Sequence, residues 1–191
     1  NTFSNNANYG VFFLNSGTDT FNHNVVSGNT NTGLKLSGSS SNTLTNCTIS
    51  GNNINGVEFI GGSNSNTFRG NIVTNNTEQG IYISGSNSNT LSRNLVTGNG
   101  DKGLFAYQSQ TNTIADNHFN NTNNFDLSTV MYPNTWNTTY ATGPNVIGGQ
   151  YLGGNYWANP SDTGYSQTCT DSNGDGFCDN PYPLATNNTD N

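Results

Sequence analysis

A period of about 23 residues runs through most of the chain. Glycines stand before an apolar residue at Gly10, Gly33, Gly56, Gly80 and Gly103, spaced 23, 23, 24 and 23 residues apart. Threonines recur at Thr20, Thr43, Thr67, Thr90 and Thr113, with spacings of 23, 24, 23 and 23. Two residue types keep one period, so the repeat is not an accident of composition.

Within each repeat the pattern is that of short strands. After the glycine come Val11-Phe12-Phe13, Leu34-Lys35-Leu36, Val57-Glu58-Phe59, Ile81-Tyr82-Ile83 and Leu104-Phe105-Ala106. The outer two positions are apolar and the middle one varies freely, which is period-two alternation with the middle side chain toward solvent. A further apolar residue follows the threonine (Phe21, Leu44, Phe68, Leu91, Ile114), and another comes five positions later (Val26, Ile49, Val73, Val96, Phe119). Helix-capping patterns and i, i+4 apolar spacing are absent. One such unit cannot bury its apolar side chains alone, but stacked units can. The pattern therefore predicts an all-β parallel β-helix, one coil per repeat, with neighbouring coils about 4.8 Å apart. A leucine-rich-repeat horseshoe would need a Leu-x-x-Leu-x-Leu frame, which this chain lacks.

The polar residues repeat as well. "SNSNTFRGNIVTNN" from Ser63 nearly recurs as "SNSNTLSRNLVTGN" from Ser86. Asn24, Asn71, Asn94 and Asn117 fall in one column, broken once by Cys47, and Asn29, Asn52, Asn76 and Asn99 fall in another. Asparagine tolerates the left-handed backbone of a corner, and stacked amides hydrogen-bond along a column, so these residues are expected to turn corners and to form ladders. Cys47 reads as a small buried thiol, with a reactive or intermolecular cysteine as the alternative.

Composition limits the partners. The 191 residues carry four Lys+Arg against eleven Asp+Glu, a formal net charge of −7. This leaves no basic footprint for nucleic acid. No apolar run approaches the ~18 residues of a membrane helix, and the first residues lack a basic-then-apolar signal segment. Phe3 aligns with Val26, so the chain starts in mid-coil and reads as part of something larger, its first coil meeting preceding sequence or another subunit. Asn-x-Ser/Thr sequons at Asn46, Asn75, Asn120, Asn137 and Asn187 permit glycosylation outside the cell.

After Asn121 the punctuation fails. Asp126 stands where the next glycine is due, although Leu127 and Trp136 still suit apolar slots, so the coils are expected to continue irregularly. The reading divides the chain into coils over 1–145 and a C-terminal cap over 146–191, within one structural unit. The cap segment is rich in aromatics (Tyr151, Tyr156, Trp157, Tyr165, Phe177, Tyr182), as suits the closing of an exposed solenoid core.

The coils resemble the NosD-type family of parallel β-helix repeats. The tail resembles the C-terminal segment of archaeal, chiefly methanogen, surface proteins of that family, a "GGNYW…TCTDxDGDGxCDxPY" pattern matched by Gly153 to Trp157 and by Thr168 to Tyr182. The resemblance, with the usual hand of parallel crossovers, implies a right-handed helix. It also implies a secreted or envelope-associated protein.

"DSNGDGFCD" places Asp171, Asn173 and Asp175 at alternating positions, with Gly176 for a sharp turn, the Phe177 carbonyl next and Asp179 beyond. This is the front half of an EF-hand-like loop, and its hard oxygen donors suit Ca²⁺. Tyr182 stands where the twelfth-position Glu would be. Cys169 and Cys178 bracket most of the loop and are expected to form a disulfide, as suits an oxidising compartment. A cysteine-based zinc site is disfavoured, because no histidine lies near.

Clustered carboxylates, as a polysaccharide-cleaving site needs, are sparse. Glu78 and Asp101 are the only stacked acids, a weak pair suited to a cation or a sugar. Lys35 with Glu58, and Arg93 with Asp116, read as ordinary surface ion pairs. His23 and His118 read as incidental surface residues. Phe12, Tyr82 and Phe105 are candidates for sugar stacking or subunit contact. From these features the expected function is a non-catalytic structural part of an archaeal cell surface (sheath, S-layer or adhesin) that associates with copies of itself or with other envelope proteins. The alternative is an extracellular carbohydrate-binding or polysaccharide-cleaving β-helix.

Overall fold

The computed structural model describes residues 1–127 and 132–190. The β-helix expectation is borne out: three parallel sheets wind into a solenoid of about five coils. Sheet 1 contains Thr2–Ser4, Val25–Ser27, Thr48–Ser50, Ile72–Thr74, Leu95–Thr97, His118–Asn120 and Tyr156–Ala158. Sheet 2 contains Val11–Leu14, Leu34–Ser37, Val57–Ile60, Ile81–Ser84, Leu104–Tyr107 and Phe125–Leu127. Sheet 3 contains Thr20–Asn22, Thr43–Thr45, Thr67–Arg69, Thr90–Ser92 and Thr113–Ala115. Among the described residues the one helix is the four-residue Tyr165–Thr168, and no helix is long and apolar enough to cross a membrane.

The 23-residue period sets the register. Leu34, Val57, Ile81 and Leu104 are paired in succession and fully buried, so they form one interior column. Leu44, Phe68, Leu91 and Ile114 form the second column, and Val26, Ile49, Val73, Val96 and Phe119 the third. Each such side chain contributes roughly 1.5–3 kcal/mol by leaving water.

The corners differ from the sequence reading in one respect. The asparagines of the two columns do not adopt the left-handed backbone; the residue before each of them does, as at His23 (φ 53), Asn75 (φ 55) and Arg93 (φ 57). The preceding residue turns the chain so that the asparagine amide points along the solenoid. Asn52 then donates from its backbone N–H (3.1 Å) and its Nδ2 (2.8 Å) to Asn76 Oδ1, and Asn76 donates in the same way to Asn99. Two further ladders escaped the sequence reading. Asn42, Asn66, Asn89, Asn112 and Asn134 form one. Ser39, Ser63, Ser86 and Ser109 form the other, each backbone N–H donating to the next hydroxyl. The glycine before each of the first five sheet-2 strands leaves room for a ladder: a Cβ on Gly80 would lie 2.7 Å from Asn99 Nδ2 and 2.7 Å from the Gly103 carbonyl.

The irregular coil is a shortened one. Leu104 pairs with Phe125, so Asn124 takes the glycine place and Asp126 faces outward beside Phe105. Part of this coil, 128–131, lies outside the described residues. In the segment read as the cap, Tyr156–Ala158 adds a seventh rung to sheet 1, with Trp157 stacked on Phe119 at 4.6 Å.

Candidate functional site

The outward positions of sheet 2 carry the candidate site. Phe12, Lys35, Glu58, Tyr82, Phe105 and Asp126 stand side by side on successive strands. An aromatic platform lies at each end of the polar centre. Tyr9 and Phe12 have ring centroids 5.3 Å apart, and Phe12 is 44% exposed. Tyr82 and Phe105 lie 5.5 Å apart and lean on each other, which leaves both half-buried rather than fully exposed.

The polar centre is tighter than an ordinary surface ion pair, and that expectation is corrected here. Lys35 Nζ lies 3.0 Å from Glu58 Oε2 and donates to Tyr9 Oη at 3.1 Å, while sitting 4.6 Å from the Tyr9 ring centroid. Glu58 Oε1 accepts from Thr32 Oγ1 (2.7 Å) and Asn55 Nδ2 (2.9 Å), so Glu58 is buried although it points off the sheet. Burial pulls the Lys35 ammonium down, but the Tyr9 and Glu58 contacts outweigh it and hold its pKa above 10.5.

Glu78 and Asp101 stack through the backbone, Asp101 N–H donating to the Glu78 carbonyl at 3.0 Å. The Asp101 carboxylate turns away to Lys102 Nζ (2.6 Å) and Gln79 Nε2 (2.9 Å), and the lysine contact holds its pKa low. These residues flank the strip at its corner.

Arg93 and Asp116 also form more than a surface pair. Arg93 Nε meets Asp116 Oδ2 at 2.9 Å, Asp116 Oδ1 accepts from Val146 N–H at 2.7 Å, and Arg93 Nη2 donates to the Pro144 carbonyl. The pair therefore fastens the C-terminal segment to the coils. His118 is half-buried against Tyr156, edge to face at 5.1 Å, and burial lowers its pKa, whereas His23 is exposed at a corner.

A second region is formed by the cap. Cys169 and Cys178 are bonded, with Cα atoms 5.6 Å apart. The loop between them folds around Asp171: Oδ1 accepts from Gly174 (2.8 Å) and Asp175 (3.2 Å) N–H, and Oδ2 from Gly176 N–H (2.9 Å). Asn173 Nδ2 donates to Asp175 Oδ2, and Asp175 Oδ1 accepts from Phe177 N–H. Asp179 lies apart from these, its two oxygens accepting from the Ser172 hydroxyl and N–H, which hold its pKa low. Beside this loop a cavity of about 180 Å³ opens between the last coil and the cap, lined by Tyr151, Trp157, Tyr165, Phe177 and Tyr182 among others. Gly153 lets Phe177 close one wall, since a Cβ there would lie 2.1 Å from the ring.

The family model described as "Periplasmic copper-binding protein (NosD)" matches residues 1–162. No curated protein sequence matches. Among solved structures, the periplasmic alginate epimerase AlgG is similar with a TM-score of 0.62 at 20% identity, over 66% of this chain and 32% of the epimerase. A single-residue variant of that epimerase gives 0.56 at 19% identity, over the same shares. The pectate lyase Pel9A gives 0.43 at 16% identity, over 74% of this chain and 54% of the lyase. The chain thus spans about a third of the epimerase. The expectation of a non-enzyme does not stand: the solved structures sharing this coil stack include an epimerase, and a repetitive, weakly charged solenoid is no argument against catalysis.

Copper favours imidazole and sulfur donors. The two histidines are far apart in the solenoid, and Cys47 is buried in the core with Sγ 3.2 Å from the Thr45 carbonyl. Among the described residues no group of three or more His, Cys, Asp or Glu side chains is placed to hold a metal. The donor set does not fit copper.

Proposed function

This chain belongs to the NosD family, and on that footing we propose that it is the glycan-holding coil stack of a carbohydrate-active protein working outside the cytoplasm. The observation that carries the reading is the sheet-2 strip, where two aromatic platforms flank a hydrogen-bonding centre in line with the solenoid axis. Sugar rings stack their C–H faces on aromatic side chains, and their hydroxyls need donors and acceptors between the platforms. The disulfide supports an oxidising compartment, and the family's description as periplasmic agrees. The alginate epimerase, a carbohydrate enzyme by name, supplies the analogy of fold.

The test is retention in gels cast with soluble polysaccharides, comparing the wild type with Tyr82→Ser/Phe105→Ser. Retention that is lost in the variant, with its melting temperature nearly unchanged, supports the reading. Equal mobility of both proteins in every gel contradicts it.

Two narrower readings accompany this one. The Asp171–Asp179 loop is proposed to hold Ca²⁺ through Asp171, Asn173, Asp175, the Phe177 carbonyl and Asp179; its support is the loop already wrapped on the Asp171 carboxylate. Binding would require Asp179 to leave Ser172. Millimolar Ca²⁺ should then raise the melting temperature, since a ligand of the folded state alone adds stability. An archaeal cell-surface setting is proposed from the tail motif, and sedimentation of native material tests whether the protein associates there with itself or with envelope partners.

A further inference from the structure

We infer that the glycan held on sheet 2 is neutral and extended, bridging the Tyr9–Phe12 and Tyr82–Phe105 platforms; the inference rests on the glycan reading above. Charge decides the first part. The chain has four Lys+Arg, and three are already paired: Lys35 with Glu58, Arg93 with Asp116 and Lys102 with Asp101. The fourth, Arg69, stands on sheet 3 and donates to Ser92 Oγ at 3.4 Å. A polyuronate carries a carboxylate on every ring, and its recognition takes basic side chains with uncommitted charge. On the strip, Lys35 is the one cation, and drawing it toward a sugar carboxylate would leave Glu58 buried without its counter-charge. Asp126 at one end and a net charge of −7 add repulsion.

Neutral hydroxyls fit the same atoms. Lys35 uses one N–H on Tyr9 and one on Glu58, which leaves a third donor. Tyr9 accepts from Lys35 and keeps its own proton to donate. Both serve sugar oxygens without disturbing Glu58.

Geometry decides the second part. Phe12, Lys35, Glu58 and Tyr82 stand on successive rungs, and parallel strands repeat at about 4.8 Å, so Phe12 and Tyr82 lie roughly 14 Å apart. One unit of an extended glycan is about as long as one rung is high. A ligand that reaches both platforms therefore has at least four units, and shorter ones occupy one platform only.

The experiment is calorimetric titration of the whole chain with neutral oligosaccharides of increasing length and with oligo-uronates from alginate and pectate, at low and high salt. Affinity for the neutral series should step up about tenfold on reaching four units and stay constant with salt. Oligo-uronates should bind at least about tenfold more weakly. Glu58→Gln keeps the shape of the centre and releases Lys35, so it should raise oligo-uronate affinity about tenfold and make it salt-sensitive. Wild-type protein that prefers oligo-uronates overturns the inference and leaves the glycan reading standing. Disaccharides that bind as tightly as hexasaccharides overturn the bridging. Absence of binding to either series overturns both the inference and the reading beneath it.

Discussion

The coils and the C-terminal segment solve the same problem by opposite means. In the coils every rung offers its neighbour the same acceptors, so Asn94 and Asn117 each receive two bonds from the rung before and Asn71 receives one. (Cys47 gives only its backbone bond.) The C-terminal segment uses single residues drawn from far along the chain. Asn188 Oδ1 accepts from Asn134 N–H (3.1 Å) and Trp136 Nε1 (2.8 Å). Asp190 Oδ2 accepts from Asn155 N–H (2.8 Å), Asn155 Nδ2 (2.9 Å) and Trp157 Nε1 (2.7 Å). A solenoid end must supply the acceptors that the next coil would have supplied. Here the strand Asn188–Asp190 supplies them to two ladders at once.

That contrast predicts where the molecule is fragile. The largest effect is expected from Asp190→Ala, which strips three donors of one charged acceptor and should cost about 4 kcal/mol in urea unfolding. Asn94→Ala, inside a ladder, should cost less, about 2–3 kcal/mol, because it removes a neutral acceptor. The reverse order would mean that the ladders, not the end closure, are the more fragile part. Reducing Cys169–Cys178 comes next, at about 2–3 kcal/mol, and amide exchange should quicken in the cap while the coils keep their protection. Cys47→Asn should then add about 1 kcal/mol of stability, because Asn24, whose Nδ2 now donates back to the Asn22 carbonyl, gains an acceptor in the next coil.

The smallest effect is a pH dependence. Burial disfavours the charged form of His118 in the fold and so depresses its pKa. Below its ordinary value of 6.5 the unfolded chain takes up the proton first, so stability falls as pH drops through about 6.5 and is level above it. His118→Phe, which preserves the contact with Tyr156, should remove that part of the melting-temperature slope.

Much of the fold was legible because its signals are local and repeated: Gly80, Ile81 and Ile83 announce a strand by spacing alone. The ladders were half legible. Asn75 and Asn76 look alike in sequence, yet one turns the corner and the other points along the axis, a distinction of backbone that composition does not record. The shortened coil hid the place of Asp126, since a deletion inside a repeat shifts register only where pairing fixes it. Glu58 read as a surface acid because its burial depends on Thr32, in the coil before, and on Asn55 at the corner. Asn188 and Asp190 lie beyond the period, and nothing in their own stretch tells which ladders they close. The aromatic strip was readable as a column, but the platforms were not: Tyr9 lies before its strand and joins Phe12 only in the fold.

The coil face, rather than the cap cleft, is proposed to hold the glycan. A crystal structure with a bound neutral hexasaccharide tests this most directly. One sugar ring is expected on the Tyr82–Phe105 pair, another on Tyr9–Phe12, and hydroxyls within hydrogen-bond reach of Lys35 Nζ and Tyr9 Oη. Sugar density in the cleft between Trp157 and Phe177, with the sheet-2 face bare, would contradict it.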